Sequence, residues 1–250
     1  MDSFNFQAVA HVESPYKEKF GTPRQPGLVA TTVGHIHLRE DLNPDAFEGL
    51  ASYSHAWLVF VFHGNDSFKT GKPFVKTKVH PPRLEGRAIG VFASRSPHRP
   101  NPIGVSLVKV EKIEGRKLTV SGLDLIDGTP ILDIKPYLPS IESPAGAFEG
   151  WSAEVAPPRF GVTWSSGAQS DLVRLTPDLD TQARLAIGTA IEGILKLDPR
   201  PVAYRGTEES PDPYMSRYGF RFENWNVVFE MKDSAPGRMA EITAIEPWVD

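Results

Sequence analysis

The sequence predicts a mostly β protein, in which a small β-barrel is followed by a C-terminal α+β domain. The chain has 250 residues, among them 21 glycines and 23 prolines, a combined share of about 18% against roughly 12% on average. That excess favours many turns and short strands. Short runs rich in β-branched and aromatic residues recur between the turn signals, a pattern typical of a barrel. We place the barrel at residues 1–160 and the second domain at residues 161–250.

The first half of the predicted barrel rests on three apolar runs and one helix signal. Strands are expected at Phe6–Val12 and Ile36–Leu38. Asn43 is a favoured N-cap and Pro44 suits the first helical position, so a short helix should follow. The run His55–His63 is dense in β-branched and aromatic residues, which predicts a strand buried on both faces.

The second half of the predicted barrel is a series of short strands joined by turns. Strands are expected at residues 89–93, 103–113, 118–125 and 131–134, and residues 115–117 read as a hairpin connection. From Pro139 to Pro158 the chain is rich in proline, serine and glycine. That stretch predicts a linker or a long crossing segment before the second domain.

The C-terminal domain is predicted from one helical and two strand patterns. Apolar residues recur at helical spacing over Asp178–Leu197. Over Trp225–Met231 apolar and polar residues alternate as in a half-buried strand, except that Val228 breaks the alternation. Met239–Ile245 is a candidate to pair with that strand.

Several function classes are excluded by what the sequence lacks. The chain has no cysteine, so disulfides, thiolate catalysis and thiolate zinc sites are excluded. It contains no G-x-G, no P-loop motif, no G-x-S-x-G and no H-E-x-x-H. His35 and His37 share one face of a predicted strand, but a third ligand is not evident, so no metal site is predicted.

The sequence also carries expectations about cellular location. The longest apolar run, Ala56–Phe62, has seven residues, far fewer than a bilayer span requires. The first residues lack the basic and apolar regions of a secretion signal. We therefore expect a cytoplasmic protein that does not bind a membrane.

Charge is distributed unevenly along the chain. The formal net charge is −4, yet between Lys69 and Val105 eight basic residues accompany a single acid, Glu85. A basic stretch on an acidic protein indicates a docking site for a polyanion such as RNA, and the alternative is a solvated loop. The basic residues are Lys69, Lys72, Lys76, Lys78, Arg83, Arg87, Arg95 and Arg99.

Two early segments combine polar side chains with a constrained backbone. In PRQPG (23–27) two prolines flank Arg24 and Gln25, which indicates either a stiff binding loop or a rigid turn with solvated tips. His63 ends the apolar run and Gly64 follows it. His63 is therefore either a satisfied core histidine or the edge of a pocket, where Gly64 would allow close approach of a ligand.

Two later segments are also too unusual for packing alone. In SRSPHRPNPIG (94–104) three prolines stiffen the loop that carries Arg95 and Arg99, and two arginines on a rigid loop suit bidentate binding of carboxylate or phosphate. In LDLIDGTP (123–130), Asp124 and Asp127 end a strand at a turn. They belong either to an ordinary turn, to the mouth of a site, or to the acid/base pair of a hydrolase.

Five stretches resemble one known family. They are PRQPG (23–27), SHAWLVFVFH (54–63), VFASRSPHRPNPIG (91–104), LDLIDGTP (123–130) and DIKPYLP (133–139). Together they resemble the TsaA-like, or TrmO, family of tRNA N6-threonylcarbamoyladenosine methyltransferases, which act at position 37 next to the anticodon. The resemblance extends to residues 198–205, which are similar to the family's short DPRPAYR signature but carry the additional Val202.

The resemblance implies a fold, a cofactor and partners. The fold is a small single-sheeted β-barrel, the cofactor is S-adenosylmethionine, and the partners are tRNA and a second copy of the chain, with the cofactor near the subunit interface. A non-catalytic RNA-binding or cofactor-sensing barrel is the alternative. The matching positions give these cofactor contacts: Arg24, Gln25, Pro26, His63, Gly64, Arg95, Leu107, Asp124, Leu125, Ile126 and Asp127.

The implied acceptor is the urea-like N6 of an adenine that carries a threonylcarbamoyl group. A carboxylate that accepts a hydrogen bond from N6–H would raise its nucleophilicity, so Asp127 is the first predicted catalytic residue and Tyr137 the second. Arg99 or Arg205 would bind the threonyl carboxylate, and Tyr204 would stack on a base. The predicted substrate contacts are Arg99, Asn101, Arg200, Tyr204, Arg205, Lys72, Lys76 and Lys78.

Overall fold

The computed structural model describes residues 4–65, 77–81, 84, 86–154, 160–200, 217–234 and 237–249. These residues fall into two compact units. The barrel unit lies within Met1–Glu13, Gly34–Ser121 and Gly128–Pro157, and the C-terminal unit within Ser14–Val33, Gly122–Asp127 and Pro158–Asp250. Two segments from residues 1–160 therefore belong to the C-terminal unit. The division into domains at residue 160 stays a prediction.

The barrel unit contains a closed six-stranded barrel, which confirms the predicted fold class. The strands are β1 (Ala10–Glu13), β2 (Val33–Leu38), β3 (His55–Val61), β6 (Ile103–Glu114), β7 (Lys117–Ser121) and β8 (Pro130–Pro136). Around the barrel their order is β1-β2-β7-β6-β3-β8. The first strand starts four residues later than predicted, and Phe6 lies exposed before it.

The interior of the barrel is filled by every second residue of its strands. On β3 the side chains of Ala56, Leu58 and Phe60 are buried, and those between them are half-buried. The prediction that this run is buried on both faces is therefore wrong, because a closed barrel covers only the inward face of a strand. Gly104 of β6 has no side chain at the point where the ring of Phe60 lies against it. Glycine is thus required there by packing.

The remaining elements of the barrel unit are short. β4 (Lys78–Val79) pairs with β5 (Ile89–Gly90), and a 3-10 turn at Val91–Ala93 ends the strand predicted at residues 89–93. The predicted helix is a 3-10 helix, Pro44–Phe47, whose N-cap Asn43 accepts a hydrogen bond from the backbone N–H of Asp45. Further 3-10 and α-helical turns lie at Leu50–Ser52, α1 (Pro139–Glu142) and α2 (Trp151–Glu154).

The C-terminal unit is an α+β sandwich of one sheet and two helices. The sheet order is β10-β11-β12-β9, formed by β10 (Arg217–Phe222), β11 (Trp225–Ser234), β12 (Gly237–Pro247) and β9 (Gly161–Trp164). The helices are α3 (Ser166–Leu175) and α4 (Thr181–Lys196), capped by Ser165 and Asp180. Helix α4 and strands β11 and β12 were predicted, whereas α3, β9 and β10 were not.

Val228 keeps the regular orientation of β11 although it breaks the polar pattern. Val227 and Phe229 belong to the apolar core of the unit, while Val228 is paired with Gly219 and Ala244. The register of β12 shifts beside this residue, so that Thr243 is the extra residue of a β-bulge. The core itself joins both helices to the sheet and includes Tyr16 and Val29 from the first half of the chain.

Candidate functional site

Two predicted cofactor segments meet in the C-terminal unit. The backbone N–H of Gly27 donates to the carbonyl oxygen of Gly122 at 2.9 Å, and the N–H of Gly122 donates to the carbonyl of Thr32 at 3.0 Å. Gly122 has a φ of 73°, and a Cβ there would lie 3.6 Å from the Cα of Gly27. This close approach of two backbones joins PRQPG (23–27) to the segment 122–127.

The side chains of these two segments offer a mixed set of donors and acceptors. Arg24 is exposed, and Gln25 and Pro26 are half-buried. On the second segment Asp124, Ile126 and Asp127 are half-buried and Leu125 is buried. The two joined segments thus carry a guanidinium, an amide, two carboxylates and an apolar surface.

Asp127 is held by the turn that follows β1. Its Oδ1 accepts from the backbone N–H of Ser14 at 2.8 Å, and its Oδ2 lies 3.1 Å from Nζ of Lys17. Its own N–H donates to the carbonyl of Tyr16 at 2.8 Å. These contacts favour a role for Asp127 in holding the segment 122–127 in place. They leave its predicted role as proton acceptor untested.

Tyr16 is buried beside these segments. Its hydroxyl donates to Oγ1 of Thr32 at 2.7 Å, and its side chain belongs to the core of the C-terminal unit. Burial raises the pKa of Tyr16 far above the ordinary value for tyrosine, and the negative charge of Asp124 adds to this, whereas the hydrogen bond with Thr32 opposes it. The neutral phenol is therefore the form that the fold accepts.

This burial predicts a loss of stability at high pH that depends on Tyr16. Below about pH 10 the phenol is neutral in both the folded and the unfolded state, so its contribution is complete. At higher pH the unfolded chain loses the proton while folded Tyr16 keeps it, so the free energy of unfolding falls. Between pH 8 and pH 11 we expect Tyr16→Phe to reduce that fall by about 1.4 kcal/mol, measured by urea denaturation. Parallel curves for the two proteins would contradict the prediction.

His63 and Gly64 lie in the barrel unit beside the proline-rich loop. The N–H of Phe62 donates to the carbonyl of Pro102 at 2.8 Å, and Nδ2 of Asn65 donates to the carbonyl of Pro97 at 2.5 Å. His63 and Gly64, both half-buried, are therefore held against the loop 94–102. The structure brings these two predicted contacts together with the loop that carries Arg95.

The proline-rich loop is fixed by hydrogen bonds to its backbone. Nη1 of Arg99 donates to the carbonyl of Ser94 at 3.3 Å, and the indole N–H of Trp151 donates to the carbonyl of Ala93 at 2.8 Å. Arg95 and Asn101 are exposed, and Arg99 is half-buried. The loop thus presents its two arginines from a constrained backbone, as the sequence predicts.

Leu107 and Tyr137 lie on the outer side of the barrel. Leu107 of β6 is paired with Trp57 of β3, and the ring of Tyr137 packs edge-on against Trp57 at 6.0 Å and His55 at 6.3 Å between centroids. Among the described residues the Tyr137 hydroxyl has no hydrogen bond. Tyr137 therefore keeps a phenol that can donate or accept.

Arg200 is buried, which differs from what a surface contact to RNA requires. Its side chain is 3% exposed, and its Nε donates to Oδ1 of Asp198 at 2.8 Å. Its guanidinium also lies over the ring of Tyr218, 5.3 Å from the centroid. These contacts favour a structural role for Arg200 in the C-terminal unit, and RNA contact by Arg200 stays a prediction.

The other predicted RNA contacts are only partly covered by the structure. Lys78 is exposed on β4. Tyr204, Arg205, Lys72 and Lys76 lie outside the described residues. In the part of the chain that is described, no group of three histidine, aspartate or glutamate side chains is arranged to hold a metal ion. None of the described helices is long and apolar enough to cross a membrane.

Ser14 and Lys17 were missed by sequence reasoning although they engage Asp127. Their contacts join residues separated by 113 and 110 positions along the chain, and no motif surrounds them. A turn rich in serine, proline and lysine is common at protein surfaces. Local patterns therefore carry no signal for this pairing.

Comparison with known proteins identifies the family. Residues 11–143 match the family model of the tRNA-methyltransferase O N-terminal domain, and residues 157–247 match the model of the TrmO C-terminal domain. A tRNA (adenine(37)-N6)-methyltransferase from Escherichia coli K12 is 38% identical over 253 residues, covering 99% of this chain and 100% of the relative. A putative S-adenosylmethionine-dependent methyltransferase, RcsF, from Pseudomonas aeruginosa is 41% identical over 221 residues, covering 88% and 89%.

A solved structure agrees with the sequence relatives. The crystal structure of TrmO from Pseudomonas aeruginosa superposes with a TM-score of 0.75 at 32% identity, covering 99% of both chains. The matched domains, the full-length relative and the shared fold lead to one conclusion. The chain belongs to the TrmO family.

Proposed function

We propose that this protein is an S-adenosylmethionine-dependent tRNA methyltransferase that methylates N6 of adenine 37, next to the anticodon, in its threonylcarbamoylated form. Membership of the TrmO family supports the reaction, because the tRNA (adenine(37)-N6)-methyltransferase from Escherichia coli matches over its full length. The structural observation that carries the proposal is the junction of Gly27 with Gly122, which joins two segments predicted to bind the cofactor. We further propose a cytoplasmic location.

The residues around this junction fit the chemistry of S-adenosylmethionine. The carboxylate of Asp124 suits the ammonium or adenine amine of the cofactor, and the guanidinium of either Arg24 or Arg95 suits its carboxylate. Leu125 and Ile126 offer an apolar surface to the base and ribose. When bound, S-adenosylmethionine supplies an electrophilic methyl group on a sulfonium centre. His63, Gly64, Arg95 and Leu107 stay predicted contacts from the barrel unit.

The protein's main task in this reaction is to orient the acceptor, whose N6 loses one proton when the methyl group is transferred. Alignment of donor and acceptor contributes roughly 7–11 kcal/mol in favourable cases. Asp127 already binds Ser14 and Lys17, so its carboxylate is better placed to hold its own segment than to accept the N6 proton. Tyr137 is then the stronger candidate for contact with N6–H, because its hydroxyl has no partner among the described residues.

The proposed RNA contacts use cations of the barrel unit. The guanidinium of Arg99 suits the threonyl carboxylate through bidentate hydrogen bonds, and Asn101 beside it can contact a base edge. Lys72, Lys76 and Lys78 would bind phosphates of the anticodon stem and loop, which makes binding weaken with salt. Tyr204 would stack on a base of the anticodon loop, and Arg205 is the alternative to Arg99 for binding the threonyl carboxylate.

One assay separates this function from its alternatives. Purified protein is incubated with S-adenosylmethionine labelled in the methyl group and with tRNA that either carries or lacks the threonylcarbamoyl group. Mass spectrometry of digested tRNA should show the label on the modified adenine only when that group is present. Binding of the cofactor without transfer would favour a sensing barrel, and no binding would overturn the proposal.

We also propose that the protein is a homodimer that pairs through the outer face of β3 and β6. Trp57, Val59 and Val61 lie opposite Leu107, Val105 and Ile103 on adjacent strands. Val105 is 45% exposed and Ile103 is 37% exposed. An apolar patch of this kind on the outside of a barrel favours contact with another protein surface. Leu107, a predicted cofactor contact, lies within it.

A charge placed in this patch should separate the subunits. We expect Val105→Lys to convert the dimer to a monomer in sedimentation velocity, because a buried unpaired ammonium opposes association. Val33→Lys is the matched control, since Val33 is 48% exposed on β2 and outside the patch. A monomeric wild-type protein, or a dimeric Val105→Lys variant, would contradict the proposed interface.

A further inference from the structure

The segment that carries PRQPG is seated on β10 of the C-terminal unit before the motif begins. The carbonyl of Pro15 accepts from the N–H of Glu223 at 2.7 Å. Oε1 of Glu18 accepts from the N–H of Arg221 at 2.9 Å. The ring of Tyr16 packs edge-on against Phe222, with centroids 6.1 Å apart. The path of the chain toward residue 23 is therefore set by the C-terminal sheet.

Gly21 allows the backbone of this segment to lie close to strand β10. It has a φ of 85°, and a Cβ at this position would lie 2.5 Å from Cδ2 of Phe220. Phe220 is buried, and Phe20 packs edge-on against its ring with centroids 6.4 Å apart. Only glycine allows the backbone to lie on this ring two residues before Pro23.

The other end of the motif is seated on helix α4. Val29, two residues after Gly27, is buried in the core of the C-terminal unit. A Cβ at Gly193 of α4 would lie 2.9 Å from Cγ1 and 3.4 Å from Cγ2 of Val29. The absence of a side chain at Gly193 therefore gives Val29 its position.

We propose that the C-terminal unit positions the cofactor-binding motif, with Gly21, Val29 and Gly193 as positioning residues for S-adenosylmethionine. The inference rests on the proposed function and extends it. The C-terminal domain then contributes to cofactor affinity as well as to RNA recognition. Arg24, Gln25 and Pro26 lie between two fixed points, so a shift at either point moves the groups that contact the cofactor.

Two glycines of one helix allow a matched test in the full chain. Gly193→Ala and Gly188→Ala make the same change inside α4 and gain the same helix propensity. A Cβ at Gly188 would lie 3.7 Å from Cζ2 of Trp164, an ordinary contact. We expect Gly193→Ala to weaken S-adenosylmethionine binding about tenfold in calorimetry, because overpacking must displace Val29. Gly188→Ala should keep the wild-type affinity.

A compensating change shows whether Val29 transmits the effect. Val29→Ala removes both methyl groups that Gly193→Ala would strike, so the double variant should bind S-adenosylmethionine more tightly than Gly193→Ala alone. If Gly193→Ala affected only the stability of the protein, it would lower the melting temperature, and the double variant would not regain affinity for S-adenosylmethionine. Each variant is measured well below its melting temperature, with circular dichroism to show that it is folded.

The outcomes distinguish the inference from the function on which it rests. If the wild-type protein does not bind S-adenosylmethionine, the proposed function is overturned. If the wild-type protein binds and Gly193→Ala has the same affinity as Gly188→Ala, only the positioning role is overturned. If Gly193→Ala does not fold, the test is repeated by comparing Gly21→Ala with Gly49→Ala. Gly49 also has a positive φ, 80°, but a Cβ there would have no neighbour within 4 Å. Equal affinities of that pair would also overturn the positioning role.

Discussion

Replacing Arg200 by methionine is expected to lower the free energy of unfolding by about 3–5 kcal/mol. The side chains of Arg200 and Asp198 are 3% and 2% exposed, and the guanidinium binds both carboxylate oxygens at 2.8 and 3.3 Å. Methionine keeps much of the volume of arginine but leaves the buried carboxylate without this cation. The guanidinium also loses its place over the ring of Tyr218. Urea denaturation followed by tryptophan fluorescence measures the loss.

Two further variants test this explanation. Asp198→Asn together with Arg200→Met removes both charges, and it should recover a large part of the stability that the single change costs. Arg174→Met breaks the exposed ion pair with Asp171, whose N–O distance is also 2.8 Å, and should cost less than about 1 kcal/mol. If both single arginine variants lose the same stability, burial is not the cause.

Replacing Arg95 by alanine is expected to weaken S-adenosylmethionine binding by roughly 100-fold, equivalent to about 3 kcal/mol for charge-assisted hydrogen bonds to a carboxylate. Arg95 is exposed on a loop whose backbone is held by Trp151 and Asn65. Neither of those contacts uses the Arg95 side chain, so both remain possible in the variant. Calorimetric titration with S-adenosylmethionine measures the affinity.

Lys78→Ala supplies the control, since it removes one positive charge from an exposed position on β4, outside the loop that carries Arg95. Lys78 is proposed to bind a phosphate of the RNA, so its replacement should raise the KM for tRNA and leave the cofactor affinity unchanged. If the two variants lose the same cofactor affinity, the effect comes from the general loss of positive charge and not from a direct contact of Arg95 with the cofactor. Unchanged affinity in Arg95→Ala would remove Arg95 from the cofactor site.

The barrel and much of the second unit could be predicted from local patterns. Strand His55–Val61 lies within the apolar run recognised at residues 55–63, and helix Thr181–Lys196 lies within the helical spacing recognised over residues 178–197. Both were found because period and composition are read within a few residues. The faces of β3 could not be assigned, since a short apolar run does not show whether its second face is covered. Closure of the barrel decides that, and closure depends on strands far apart in sequence.

The elements that escaped prediction have weak local signals. Helix α3, Ser166–Leu175, starts with serine and glycine, and a further serine and an aspartate follow. These residue types are more frequent in turns and helix caps than inside helices. Strand β9 has only four residues and pairs in parallel with β12, from which it is distant in the chain. In both cases tertiary packing supplies what local propensity does not.

The candidate site divides in the same way. The motifs around Arg24, Arg95 and Asp124 were found because unusual residue combinations and a family resemblance mark them. The contacts of Asp127 with Ser14 and Lys17 were not foreseen, because they join segments more than 100 residues apart. The buried position of Arg200 was also missed, since a proline-rich stretch with arginine is typical of an exposed loop.

The C-terminal unit is assembled from three stretches of chain, which has a consequence for synthesis. Tyr16 and Val29 leave the ribosome long before Phe222 and Gly193, which cover them in the finished protein. The nascent polypeptide therefore carries uncovered apolar side chains through most of translation, a condition that slows folding and favours aggregation. Separate expression of the two halves, divided anywhere between residues 143 and 157, would leave Tyr16 and Phe222 on different polypeptides.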